Sequence, residues 1–235
     1  MAFFPPVYEL SIVVIVLVLF SLISLWRNAL DLKGVIAANI VGIAIFIRGG
    51  ELGLVDFFVL VVMFVVAELS TRYARKKMGS EHGKRTSANV IGNSGGALIA
   101  ILFGYQIAFF GAISAALADT VSSEFGMLSP KKPKLITTLK RVETGTDGGI
   151  TRLGLAASFA GALMIGAIYF LAVRDLFPAI AIVAAGIIGS LVDSLLGAVF
   201  ERKKLLNNMQ VNFLATLAGG ISAVLIVAVG SLLGL

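Results

Sequence analysis

Apolar residues recur along this chain in blocks about as long as a bilayer is thick, separated by short polar stretches. Eight blocks stand out, near residues 8–26, 33–47, 54–71, 87–103, 106–121, 152–173, 178–199 and 210–234. A helix needs roughly 20 residues to cross the hydrocarbon core. The pattern therefore predicts an all-α, polytopic membrane bundle of about eight spans, within a range of about seven to nine. The second and fifth blocks are short and read as tilted, broken or partly embedded. The first block, Tyr8 to Trp26, has no Lys or Arg before it, so it reads as an uncleaved anchor rather than a cleavable signal.

Charge supports this division. Seventeen of the nineteen Lys and Arg residues fall in alternate loops: after the first span, at 72–85, at 131–152 and at 202–204; only Arg48 and Arg174 fall in the others. The positive-inside rule puts the rich side in the cytoplasm and both termini outside. The bias depends on a hairpin at Gly104-Tyr105-Gln106. One continuous span over 97–118 would flip all that follows and level the count at nine against ten. The sequence is thus expected to form a single integral membrane domain, 1–235, with long cytoplasmic loops near 72–86 and 122–151.

Composition agrees. The 235 residues are 58% hydrophobic and 14% charged, with mean hydropathy +1.01, against about 45–50% and 25% in soluble domains. The absence of cysteine excludes disulfides, thiolate metal sites and cysteine nucleophiles. The single histidine, His82, excludes a multi-histidine metal site and reads as a solvated loop residue. The net charge of +6 tracks topology and lacks interleaved aromatics, so it points to anionic membrane lipid and not to nucleic acid.

Polar side chains inside spans are costly and tend to be functional. Here they gather toward the basic side: Glu68, Asn89, Asn93, Ser94, Asp119, Ser122, Ser123, Glu124, Asp193, Asn208 and Asn212. The outer halves read as nearly bare, which argues against a transport path. Spacing puts Asn89 with Asn93, Asp119 with Ser122 and Ser123, and Ser190 with Asp193, Ser194 and Gly197 on shared helical faces. Asn208, Asn212 and Thr216 form a further set. Interhelical hydrogen bonding is the competing explanation for the Ser, Thr and Asn members. Glu68 and Arg72, four residues apart, can simply pair. Gly92-x-x-x-Gly96 has the spacing that lets two helices approach closely. Arg85 abuts the polar start of the fourth span and is set apart from its basic run.

The densest chemistry runs from Asp119 to Thr151. Asp119 and Glu124 offer hard oxygens; Mg²⁺ is usually held by one or two carboxylates plus substrate phosphates. Lys134, Lys140 and Arg141 offer positive charge to phosphate. Gly145, Thr146, Gly148, Gly149 and Thr151 open the sixth span, where a glycine-rich turn and a helix N-terminus suit an anion. Together they describe a Mg-nucleotide or diphosphate site. No Walker A loop or kinase signature occurs.

A-D-T-V-S-S-E-F-G (118–126), I-T-T-L-K (136–140) and G-T-D-G-G-I-T (145–151) resemble the motifs of a membrane family that includes plant phytyl-phosphate kinase and the animal transmembrane protein 19. N-S-G-G (93–96) and V-D-S-L-L-G-A (192–198) extend the resemblance over most of the chain. It implies a nucleotide-dependent kinase, with CTP as the expected donor, that converts an isoprenoid monophosphate of phytyl, geranylgeranyl or polyprenyl type to the diphosphate at the cytoplasmic face. Asp119, Glu124 and Asp193 would hold Mg²⁺ or Mn²⁺. Lys134, Thr137, Thr138, Lys140, Arg141 and the 145–151 turn would bind phosphate, with Asp119, Glu124 and Lys140 catalytic. Glu68, Arg85, Asn89, Asn93, Ser94, Ser123 and Asn212 would line the substrate pocket. Glu143 and Asp147 add negative charge beside the turn, as metal or base contacts or as solvated residues. Alternatives are a lipid-phosphate cytidylyltransferase, a prenol kinase, and a non-enzymatic small transporter or lipid-binding protein.

Overall fold

The computed structural model describes residues 5–79 and 83–234; His82 lies outside them. The apolar blocks become eight α-helices among the described residues: α1 Val7–Trp26, α2 Leu32–Arg48, α3 Gly53–Met78, α4 Ser87–Leu102, α5 Gln106–Met127, α6 Arg152–Val173, α7 Leu176–Leu196 and α8 Asn208–Leu232. Five of these, α1, α3, α6, α7 and α8, are long and apolar enough to cross a membrane by length and composition. The chain is an integral membrane protein. Two two-residue strands, β1 Lys134–Leu135 and β2 Gly149–Ile150, pair antiparallel in the long loop between α5 and α6.

The hairpin before α5 is present. Gly104 turns at φ +79, and the amide of Tyr105 donates to the Ala100 carbonyl at 2.9 Å. The short helices are α2 and α4, with 17 and 16 residues; α5 has 22, against the expectation of a short fifth span. Its length was hidden because Asp119, Ser122 and Glu124 read as a helix end, whereas the helix carries them one to two turns inside it. Likewise α3 runs on to Met78, so the basic residues from Arg72 to Lys77 are helical and not loop.

Helix α5 is the centre. Every residue from Phe109 to Ala118 is buried, as expected of a helix that is apolar on all faces. It packs against α3, α4, α6, α7 and α8, while α1 lies at the edge against α2 and α3. Small residues set the spacing. A Cβ on Gly96 would lie 2.7 Å from Thr216 Oγ1 and 2.8 Å from the Leu217 amide nitrogen, and one on Gly92 would lie 3.1 Å from the Met209 carbonyl. The Gly92-x-x-x-Gly96 face is thus the α4–α8 contact.

The two ends of the bundle differ. The four basic segments share one end: Arg72 donates to the Arg27 carbonyl at 2.8 Å, and the Asp31 amide donates to the Arg85 carbonyl at 3.0 Å. The helices that start there carry side-chain caps: Asp31 for α2, Thr86 with Asn89 for α4, Thr151 for α6, and Asn207 with Gln210 for α8. Such caps satisfy amides that the first turn leaves open. The helices that start at the other end have no side-chain cap.

That other end is not bare. Asp56, in the first turn of α3, is fully buried, and Gln106 Nε2 donates to its Oδ1 at 2.5 Å. Asp56 is an exception to the expectation that the outer halves are nearly bare of polar groups. The acid falls inside the third apolar block, and its partner lies 50 residues away in sequence.

Candidate functional site

The basic end holds a cavity of about 620 Å³, within the ~300–1,000 Å³ range of small-molecule sites. Each wall comes from a different part of the chain. Helix α5 contributes Asp119, Thr120, Ser122, Ser123 and Glu124. Helix α7 and the π-helical turn Gly197–Glu201 that continues it contribute Asp193, Ser194, Gly197 and Glu201. The start of α4 contributes Asn89 and Asn93, and the start of α8 contributes Asn208 and Asn212. Arg75, Lys84 and Arg85 line the side nearest α3. The roof is the 144–151 turn, with Thr151 at the head of α6.

The acidic wall is one cluster. Asp193 lies within the electrostatic field of Asp119, Glu201 and Asp147, and Ser190 donates to Asp119. Continued as an α-helix, α7 would leave Glu201 about 80° round the axis from Asp193. The wider π turn rotates it back toward the cluster. Glu124 is five residues past Asp119, about 140° round α5, and stands apart. Among the described residues no three acidic or histidine side chains converge as a ready-made metal shell. The donor set nevertheless suits a hard cation that shares its coordination with phosphate. Asp193 Oδ2 and Glu124 Oε2 are both buried without a hydrogen-bond partner, and such groups are costly when left unsatisfied. Asp119 and Asp193, which lie within each other's field, could hold such a cation between them.

The basic wall is held by its own contacts. Arg85 donates to Thr71 Oγ1 at 2.8 Å and faces Glu68 Oε2 at 3.4 Å, and Glu68 also binds Arg72 at 2.6 Å. The possible Glu68–Arg72 pair is therefore real, and it belongs to a network that fixes Arg85. The Arg85 backbone is fixed as well, its amide donating to Ala29 at 2.9 Å. Among the described residues the cavity lining counts five acids against three bases, a balance under which an anion would enter most favourably together with a divalent cation. Three capped helix starts, those of α4, α6 and α8, also reach this space, and their dipoles favour negative charge.

The remaining candidates from the sequence fall outside the lining. Lys134, Thr137, Thr138, Lys140 and Arg141 are exposed on the β1 side of the loop. Leu139 turns there at φ +56, and the Leu135 amide donates to the Lys140 carbonyl at 2.9 Å. Glu143 pairs with Lys132 at 2.5 Å on the surface, whereas Asp147 faces the cavity. Ser94 is buried, and its hydroxyl donates to the Val90 carbonyl at 2.6 Å. Thr216 makes the interhelical bond, donating to Gly92 at 3.4 Å.

The glycine turn divides by role. Gly145, at φ +87, has open space around its Cβ position. Gly148, at φ +76, presses on α7: a Cβ there would lie 2.6 Å from both the Ala198 nitrogen and the Ser194 carbonyl. Thr151 caps α6, accepting from the Gly154 amide at 2.9 Å. Sequence reasoning missed Arg75, Lys84 and Glu201 as lining residues. Their signal was submerged in basic runs that served topology.

Residues 15–220 match the family described as integral membrane protein DUF92. An uncharacterised membrane protein of Methanocaldococcus jannaschii is 40% identical over 230 residues, covering 93% of this chain and 94% of its own. Protein PGR of Arabidopsis thaliana is 30% identical, over 83% of this chain and 80% of its own length. The chloroplastic protein VTE6 of the same plant is 29% identical, over 84% and 65%. No solved structure matches the chain. With a family match over most of its length and a relative aligned almost end to end, the chain belongs to the DUF92 family of integral membrane proteins.

Proposed function

We propose that the protein is a nucleotide-dependent phosphotransferase, with CTP as the expected donor, that converts an isoprenoid monophosphate to its diphosphate at the cytoplasmic membrane face. The observation that carries the reading is the division of one membrane-boundary cavity into an acidic wall, Asp119 and Asp193, and a basic wall, Arg75, Lys84 and Arg85. The family resemblance to phytyl-phosphate kinase narrows the acceptor to a prenyl phosphate.

The step balances without a base. An ionised oxygen of the acceptor monophosphate attacks the γ-phosphorus of the nucleoside triphosphate. The new P–O bond forms as the bond to the β-bridging oxygen breaks, and the nucleoside diphosphate leaves. A Mg²⁺ ion at Asp119 and Asp193 would neutralise charge on the donor phosphates. Arg85, held by Glu68 and Thr71, orients an acceptor phosphate without having to be ordered first. Asn89, Asn93 and Asn212 offer amide donors to phosphate oxygens. The 144–151 turn lies over the site and keeps water from the transferring group. Catalysis is positioning and electrostatics.

Purified protein in lipid vesicles, given a C20 prenyl monophosphate with CTP, ATP, GTP or UTP and Mg²⁺, should form prenyl diphosphate and a nucleoside diphosphate. Release of pyrophosphate would identify a cytidylyltransferase. No product with any donor would refute the enzymatic reading.

A further inference from the structure

A second, apolar groove runs beside the polar cavity. It is bounded by Val16, Leu17 and Phe20 of α1, by Ala38, Val41 and Gly42 of α2, and by the face of α3 from Phe57 to Ala67. The ten helical steps from Phe57 to Ala67 rise about 15 Å. The groove is narrow, about 60 Å³ as it stands, and open along one side. Phe20 and Phe64 meet edge to face across it, 4.8 Å between ring centres. Its upper end is Arg85, Asn89 and Asn93, and these three residues also line the polar cavity. The two spaces therefore share one polar neck. Ser94, the other polar residue in the groove wall, has its hydroxyl tied to the Val90 carbonyl, so below the neck the groove offers hydrocarbon contacts.

Resting on the phosphotransferase reading, we infer that this groove holds the tail of the acceptor lipid and that the neck is where its phosphate turns into the cavity. A single-chain lipid phosphate needs an anion-binding group directly above a narrow apolar slot, and Arg85 above the α1–α3 groove supplies that juxtaposition. The first carbons of the chain lie between α1 and α3, and the rest leaves by the open side into the bilayer. The donor nucleotide then occupies the far part of the cavity, between the Asp119–Asp193 wall and the 144–151 turn. This arrangement puts the acceptor oxygen between Arg85 and the donor phosphates. It also gives the edge helix α1 a role in acceptor selection, since a space of about 60 Å³ favours one chain over two.

The test uses the full-length protein in phosphatidylcholine vesicles and a C20 prenyl monophosphate carrying a diazirine within its first two isoprene units. After irradiation, adducts should map to peptides covering residues 16–20, 38–42 and 57–67. Unlabelled prenyl monophosphate should compete, and neither inorganic phosphate nor dioleoyl phosphatidic acid should do so at equal concentration. Ala38→Phe places a ring in the slot and should lower labelling about tenfold, corresponding to loss of roughly 60 Å² of apolar contact. Nucleotide affinity of that variant should stay unchanged, which also reports that it is folded. Adducts confined to α6, α7 or α8, or spread evenly over lipid-facing helices, would overturn the inference, as would equal competition by phosphatidic acid. The outcomes separate the two readings. Labelling in the groove without turnover would leave the groove standing and refute the kinase; turnover with labelling elsewhere would do the reverse.

Discussion

Gly145 and Gly148 both sit at positive φ in the turn over the cavity, and alanine at each should separate backbone strain from packing. At Gly145 the added methyl meets nothing within 4 Å, so the cost is the left-handed conformation alone, about 1–2 kcal/mol. At Gly148 the same strain is joined by collisions at 2.6 Å with the Ala198 nitrogen and the Ser194 carbonyl. These are backbone atoms of α7 and of its π turn that cannot rotate away, and overpacking of this kind costs about 1–3 kcal/mol more. The sum for Gly148→Ala is then about 3 kcal/mol, the difference about 2. The readout is hydrogen exchange at the amides of Leu135, Ile136, Val142 and Gly149, which hold the loop through bonds of 2.9–3.0 Å. Exchange from a locally opened loop follows its opening free energy. Protection should therefore fall about 5–30-fold in Gly145→Ala and on the order of 100-fold in Gly148→Ala, limited by complete detachment. Equal loss in the two variants would refute the reasoning and return Gly148 to a role in ligand approach alone.

Other predictions are briefer. Asp119→Asn and Asp193→Asn should each abolish nucleotide-dependent turnover, by about 100-fold or more, while leaving the apo fold as stable as before or more so, because each removes one charge from a repelling cluster; thermal unfolding and a product assay read both, and unchanged turnover would remove the metal role. Arg75→Gln should weaken nucleotide binding at low and high salt alike. Lys140→Ala, on the exposed loop, should act only at low salt, since exposed charges are screened over about 8 Å at physiological ionic strength; calorimetry at two salt concentrations tells them apart. In this cysteine-free chain, Lys132→Cys should react with an impermeant maleimide only after cells are permeabilised. Labelling in intact cells would place the cavity on the outer face.

The helical plan was readable because hydrocarbon thickness and loop charge are written locally: α1, α2, α4, α6 and α8 start and stop within two residues of the apolar blocks. What escaped depended on pairing across the bundle. Asp119 read as the end of a span since polar residues crowd the positions after it, yet α5 continues because those residues face a cavity rather than lipid. Lys140 and Arg141 read as phosphate ligands from their charge between the acids and the glycine turn, and Lys140 also from the I-T-T-L-K motif. A turn at Leu139 and the pairing of β1 with β2 carry them outward, and such a register is set by tertiary contact. Glu201 stands next to Arg202, Lys203 and Lys204 in sequence, and only the π turn brings it beside Asp193. Asp56, a carboxylate inside the block 54–71, was passed over because its partner Gln106 lies on another helix.

The Asp56–Gln106 bond has a consequence for assembly in time. A ribosome adds about 5–20 residues per second, so the amide that receives this carboxylate emerges some 3–10 s after it. Throughout that interval the Asp56 carboxylate is without its partner, and closing the bond fixes the height of α5 against α3, which an Ala- and Gly-rich helix surface alone leaves open. The polar pair thus acts as a depth gauge for the central helix, and through it for the height of Asp119 at the opposite end.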